Sequence, residues 1–266
     1  ASDVYKRQEL GQQAVALIKK VGLVGAATVE FLFDQQGNHY FIEVNPRIQV
    51  EHGVTEMVTG IDLVKTQIKI AQGEKLAYSQ KDIRWHGHAI QCRINAEDPT
   101  DDFAVSSGLV EQYLPPGGNG VRVCGSVFVG QEITAQFDSL IVKIMTWGEN
   151  RQEAIIRMQR ALSEFVLEGV KTTIPFHLAV LQQHNFIQGK INTNFIIENK
   201  INKLIKKVAS STKQTNLYND NPESLKYKEI AVIAASVYKN LKKEMKNGIS
   251  EGQSAWATQA RLEQSK

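Results

Sequence analysis

Cysteine, glycine-rich loops and long apolar runs are scarce in this chain, and each scarcity removes a class of protein. Two cysteines, Cys92 and Cys124, cannot build a disulfide framework across 266 residues. They suit a reduced compartment, so a cytoplasmic location is expected. Cys92 alternates with polar Gln91 and Arg93, the pattern of a buried strand cysteine. No apolar run approaches the ~20 residues of a membrane-spanning helix, so no membrane partner is expected. Nor does an apolar stretch follow Ala1–Gln8 to make a secretory signal. The Gly-rich segment Gly117-Gly118-Asn119-Gly120 lies late and behind two prolines, so it does not read as a phosphate loop. Charge of one sign is also lacking, since the net charge is only +3. The lysine-rich stretch from Lys200 to Lys213 has no interleaved aromatics and reads as a solvated helix end, so no nucleic acid is expected as partner. The first residue is not methionine. Residues 1–7 are expected to be a scar outside the fold of a truncated chain.

With 42% hydrophobic residues the chain can bury a core. Ala14, Leu17, Ile18 and Val21 recur at helical spacing and predict a helix from Gln8 to Lys20, ended by Gly22 and Gly25. Thr28–Asp34 and Tyr40–Asn45 alternate around Gln35-Gln36-Gly37-Asn38 and predict a hairpin. Val54–Gln72 has a helical stripe with a break at Gly60. Residues 74–84 read as a connector, and strands are expected at 87–95, 109–113, 121–123 and 140–147. Asn150 is a good N-cap, answered by Glu153, for a helix that Gly169 would terminate. Pro175 opens another helix. From Lys206 to Asn221 the chain is polar and linker-like, and Leu225–Lys246 reads as a further helix.

The hairpin carries the first chemical signal. Pairing Asp34 with His39 sets Phe33 against Tyr40, Phe31 against Ile42, and Glu30 against Glu43. Directly opposed carboxylates repel. They make sense where a hard cation sits between them, and Mg²⁺ takes a few carboxylate oxygens together with substrate phosphates. Asn45 lies on the same face and can add an oxygen. A surface acidic pair answered by lysines is the structural alternative. Beyond the strand come Arg47, a planar fork for a carboxylate-like anion, and Glu51, a potential proton acceptor.

The run Glu43-Val44-Asn45-Pro46-Arg47-Ile48-Gln49-Val50-Glu51-His52 resembles the biotin carboxylase family of the ATP-grasp superfamily. So do Gly87–Pro99, with its R-I-N-A-E-D-P segment, then Pro116-Gly117-Gly118, Phe137-Asp138-Ser139-Leu140 and Gly169–Thr173. The resemblance runs from about Gln8 to Lys200. It implies an α+β chain: the C-terminal half of an ATP-grasp domain, antiparallel sheet plus helices, over residues 8–80, then the biotin carboxylase C-terminal α/β domain over 81–205, with 206–266 as linker and C-terminal helix.

By resemblance, Glu30 and Glu43 ligate Mg²⁺ or Mn²⁺ bridging the ATP phosphates, Asn45 assists, and Leu32 lies beside the nucleotide. Arg47 holds bicarbonate, with Gln49 alongside and the backbone of Val50. Glu51 is the general base that activates bicarbonate toward carboxyphosphate, and Arg93 stabilises the biotin enolate. Read without the resemblance, Arg93 is an ordinary strand arginine on a polar face. Biotin is expected on a separate carrier protein or domain, with a carboxyltransferase as further partner and a homodimer for the full-length protein. Gly53 stands where the family usually has proline, which is expected to loosen the backbone beside Glu51. The family's first domain and glycine-rich lid do not precede Gln8, so the fragment alone is expected not to hydrolyse ATP. Three other readings compete: the same domain within a pyruvate or propionyl-CoA carboxylase, another ATP-grasp ligase such as a carbamoyl phosphate synthetase, and a non-catalytic remnant serving as an interaction module.

Overall fold

The structure, a computed structural model, describes residues 4–34 and 36–214. Residues up to 212 fall in one compact unit. The elements run α1 (Val4–Val21), β1 (Thr28–Phe33), β2 (His39–Asn45), α2 (His52–Thr59), α3 (Leu63–Ala71), β3 (His88–Asn95), β4 (Glu97–Asp98), β5 (Ala104–Val105), β6 (Gly108–Leu109), β7 (Gln112–Leu114), β8 (Val121–Gly125), β9 (Glu132–Ile133) and β10 (Leu140–Gly148). They continue through α4 (Arg151–Glu164), β11 (Val166–Glu168), α5 (Ile174–Leu181), α6 (His184–Ile187), α7 (Phe195–Glu198) and α8 (Ile201–Gln214). The α+β class is as expected.

The core sits on one face of an antiparallel sheet ordered β3-β10-β8. Cys92 and Ile94 of β3 pair with Ile144 and Val142 of β10, and these side chains are all buried. Helix α4 covers them with Ala154, Ile155, Met158, Ala161 and Leu162. The opposite face carries Gln91, Arg93, Lys143, Met145, Arg122 and Cys124, because side chains alternate along each strand and paired residues share a face. Against this polar face lies α2. Burial pushes the Cys92 thiol up to about 12, so it packs as a small apolar group.

Several expectations change against the coordinates. Residues 4–7 form the first turn of α1 and so belong to the fold: Lys6 Nζ donates to Gly37 O at 3.2 Å and Arg7 stacks on Trp85. The expected 109–113 strand is two short strands, because the chain changes partners at Val110: β6 pairs with β9 while β7 pairs with β11. Helix α4 stops at Glu164, five residues before Gly169, and the chain turns directly into β11. Asn150 caps α4 by accepting from Glu153 N at 3.0 Å, but the Glu153 carboxylate accepts from Glu149 N rather than from the capping residue. The stretch read as linker from Lys206 is helical through Gln214, since Ile201 and Ile205 anchor α8 in a second buried cluster with Ala179 and Phe195. The helix expected at 225–246 lies outside the described residues.

Gly53 has a packing role that spacing does not show. It is buried in the first turn of α2, and its Cα rests on Met145 of β10, where a Cβ would overlap the sulfur. The missing side chain lets the helix approach the sheet closely at this point.

Candidate active site

The hairpin brings Glu30 and Glu43 opposite each other, flanked by the pairs Val29–Val44 and Thr28–Asn45. Toward the tip the register differs from the expected one. Phe31 pairs with Phe41, Leu32 with Tyr40 and Phe33 with His39, so Ile42 is an extra residue in a β-bulge. The cause is the turn. Asn38 N and Nδ2 donate to the two Asp34 carboxylate oxygens at 2.7 and 2.8 Å, and Gly37 takes φ 88°. Asp34 N also donates to Asn38 O at 3.0 Å, so the turn closes one residue earlier than expected, and the bulge absorbs the mismatch before the ladder reaches Glu30. The aromatic contact on this face is consequently Phe31 with Phe41 and His39, and Tyr40 shares the opposite face with Leu32.

Asn45 ties the acidic pair together. Its Nδ2 donates to Glu30 Oε1 at 2.9 Å and to Glu43 Oε1 at 3.0 Å, so both carboxylates converge on one point. Gln49 Nε2 reaches the same Glu30 oxygen at 3.2 Å. Arg47 turns back through a bond from its backbone N–H to Asn45 O, and its guanidinium donates to Ile48 O at 3.2 Å and Asn45 Oδ1 at 3.4 Å. The neutral amide of Asn45 occupies the place between the carboxylates, so their negative charge is answered there by N–H dipoles alone and is open to a divalent cation. The two carboxylates fit a Mg²⁺-type oxygen site that is completed by substrate oxygens and water, while Asn45 turns its Nδ2 toward them and its Oδ1 toward Arg47. No cluster of three or more His, Cys, Asp or Glu side chains capable of holding a metal occurs among the described residues.

Further along, Glu51 precedes α2 and its Oε2 accepts from Arg93 Nη2 at 2.8 Å. Val50 O accepts from Lys143 Nζ at 3.1 Å. Thus Glu30, Glu43, Asn45, Arg47 and Gln49 form one connected group, while Val50, Glu51 and Arg93 form a second where α2 meets the sheet. Leu32 is open on the hairpin, 60% exposed.

Some supporting residues were not legible from spacing. The buried carboxylate of Glu56 accepts from Arg122 Nη1 at 2.6 Å and Leu63 N at 2.9 Å, with His52 Nδ1 at 3.3 Å. Burial pushes the Glu56 carboxyl up, but Arg122 and the Leu63 amide outweigh it and hold it below its ordinary value. On the outer edge of β3, Thr173 Oγ1 donates to Arg93 O at 3.0 Å, and His177 Nε2 donates to the same oxygen at 2.8 Å. Burial lowers the His177 pKa against that hydrogen bond, and because a carbonyl only accepts, Nε2 carries the shared proton. Arg122 lies 66 residues from Glu56, and Thr173 and His177 lie 80 and 84 residues from Arg93, so no local pattern announces these three contacts.

The described site coincides with two family models. Residues 3–79 match the carbamoyl-phosphate synthase L chain ATP binding domain, and residues 91–198 match the biotin carboxylase C-terminal domain. The chain belongs to the biotin carboxylase family. It is 52% identical over 197 residues to biotin carboxylase 1 of Bacillus subtilis, covering 74% of this chain and 44% of that one. It is also 52% identical over 192 residues to a pyruvate carboxylase subunit of Methanothermobacter thermautotrophicus, covering 72% of this chain and 39% of the relative. The biotin carboxylase domain dimer of 2-oxoglutarate carboxylase from Hydrogenobacter thermophilus, solved with MgADP, ADP and bicarbonate, superposes with TM-score 0.73 at 46% identity, over 76% of this chain and 44% of that one. The chain therefore spans less than half the length of these relatives. The R-I-N-A-E-D-P segment begins at Arg93, inside the biotin carboxylase match. No helix among the described residues is long and apolar enough to cross a membrane.

Proposed function

We propose that this chain forms the carboxylation end of a biotin carboxylase, which uses ATP and bicarbonate to carboxylate biotin carried on a separate protein or domain. The convergence of Glu30 and Glu43 on a single point carries the reading. In it, Glu30 and Glu43 hold Mg²⁺ or Mn²⁺ with Asn45, beside a nucleotide that packs on Leu32. When bound, the cation neutralises the charge that develops during phosphoryl transfer. Arg47 seats bicarbonate with Gln49 and the Val50 backbone. Glu51 takes the bicarbonate proton, and bicarbonate oxygen attacks the γ-phosphorus with ADP leaving, giving carboxyphosphate. Carboxyphosphate breaks down to CO2 and phosphate, the phosphate takes the proton from the biotin ureido nitrogen, Arg93 stabilises the resulting enolate, and the nitrogen then attacks CO2 to form the new C–N bond.

The acetyl-CoA carboxylase setting, and with it fatty acid biosynthesis, is the assignment we favour, with a carboxyltransferase and a biotin carboxyl carrier protein as partners. The likeness to relatives that are themselves named biotin carboxylase supports this. The equal likeness to a component of a pyruvate carboxylase keeps a pyruvate or acyl-CoA carboxylase as second reading. A homodimer is proposed by analogy with the dimeric relative. The two free thiols fit the cytoplasm. The test is bicarbonate-dependent ATP turnover and biotin carboxylation by the full-length protein. Arg47→Met and Glu51→Gln are expected to abolish both while leaving the fold intact, and full activity in either variant would refute the assignment. The 266-residue chain by itself is expected not to turn over ATP.

A further inference from the structure

We propose that Lys143 is a positioning residue for the bicarbonate seat, acting through the carbonyl of Val50. The sheet face beneath α2 presents a cation from each of its three strands. Arg93 of β3 holds the Glu51 side chain, Arg122 of β8 holds Glu56, and Lys143 of the central strand β10 holds Val50 O at 3.1 Å. Lys143 pairs directly with Arg93 across the ladder, so two adjacent cations engage two consecutive residues, Val50 and Glu51. Their targets differ in kind. Arg93 meets a side chain that is itself half exposed, whereas Lys143 meets main chain.

A charged donor on a carbonyl fixes the peptide plane between Val50 and Glu51. That plane sets where the Val50 backbone points on one side and where the Glu51 side chain leaves the chain on the other. The segment has few bonds of its own: His52 N to Gln49 O at 3.2 Å and Val54 N to Glu51 O at 3.1 Å make its turn into α2. The Glu51 N-cap has no side-chain capping bond. Lys143 is 93 residues away in sequence, half-buried on the central strand, and ties this turn to the sheet. Like-charged neighbours across a ladder are unfavourable unless each has a partner. The Lys143–Arg93 pair is sustained because each finds an oxygen on the same loop.

The inference rests on residues 47–51 being the bicarbonate seat, and the experiment separates the two. Hydrogen exchange is measured at the His52 and Val54 amides of the 266-residue chain carrying Lys143→Met, Lys143→Gln or Lys143→Arg, with Ile144 on β10 as reference. The Met and Gln variants are expected to exchange at least about tenfold faster at the two loop amides with Ile144 unchanged, and Arg to restore protection. In the full-length protein, Lys143→Met is expected to raise the KM for bicarbonate about tenfold with the KM for ATP unchanged, and Lys143→Arg to recover most of the loss. Unchanged loop exchange, or acceleration spread equally along β10, overturns the positioning role. So does an unchanged bicarbonate KM in Lys143→Met while Arg47→Met still abolishes turnover. If Arg47→Met and Glu51→Gln leave bicarbonate kinetics untouched as well, it is the assignment of the seat that fails.

Discussion

Arg93 Nη2 and Glu51 Oε2 lie 2.8 Å apart although 42 residues separate them, and each side chain is about half exposed. An ion pair this open contributes well under ~1 kcal/mol to stability. Arg93→Met and Glu51→Gln should therefore shift the melting temperature by no more than ~2 °C. Both should lower biotin carboxylation by the full-length protein at least ~100-fold. Thermal unfolding and product formation, measured side by side, check this. A large melting shift with retained turnover would make the pair architectural.

The acidic pair of the hairpin should respond in opposite senses with and without metal. Opposed like charges cost up to ~1 kcal/mol, and Asn45 offsets only part of that. Glu43→Gln is expected to stabilise the metal-free chain slightly and to weaken Mn²⁺ binding at least ~10-fold. Denaturant unfolding and the paramagnetic relaxation of water by bound Mn²⁺ read the two effects separately.

Glu56 is the most consequential buried charge outside the site. Replacing it with alanine leaves the Leu63 amide without its acceptor, while the partly exposed Arg122 can turn to water, so the loss is expected at ~1–3 kcal/mol. Glu56→Gln keeps an acceptor for Leu63 and should cost clearly less. Urea denaturation of the two variants gives the comparison.

Acid sensitivity should have one identifiable source at Asp98. Lys171 Nζ at 2.5 Å and Thr100, through its hydroxyl and amide, hold the Asp98 carboxyl down at about 2. A depressed carboxyl contributes stability above its unfolded value near 4 and loses it as the pH falls through the folded value near 2. Lys171 is largely exposed, so solvent screening reduces the contribution to on the order of 1 kcal/mol. Asp98→Asn should lose that much at pH 7 and flatten the decline between about pH 4 and 2, as followed by denaturant midpoints.

At Gly53 the helix–sheet approach predicts overpacking. Gly53→Ala should destabilise by ~1–3 kcal/mol. Adding Met145→Ala should recover part of it, giving a coupling term in a double-mutant cycle. Strictly additive losses would show that the Cα–sulfur contact is not limiting.

Periodicity located α1, the hairpin, the break at Gly60, α4 and the central strands, because each buries one regular stripe. The pairing of Glu30 with Glu43 was also legible, yet simple alternation carried the wrong register to the tip. A bulge hides from a period of two, since one extra residue leaves both flanking patterns intact. The motif from Glu43 to His52 could be read because its residues are consecutive. Lys143, Glu56, Thr173 and His177 could not: each reaches its partner through tertiary folding. The helical state of residues 206–214 was missed because mostly polar residues follow Ile205, while the two buried isoleucines that fix the helix lie upstream.

Thr173 and His177 have an effect beyond Arg93. β3 is the outermost strand of its sheet, and Thr173 also fills the hydrogen-bonding positions of Asn95, donating from its N–H to the carbonyl and accepting the amide on its hydroxyl. From Arg93 to Asn95 the rim of the sheet is thus sealed by its own chain. A foreign β-strand has no free ladder to join there, so neither fibril-like stacking nor strand exchange between copies can begin at that margin.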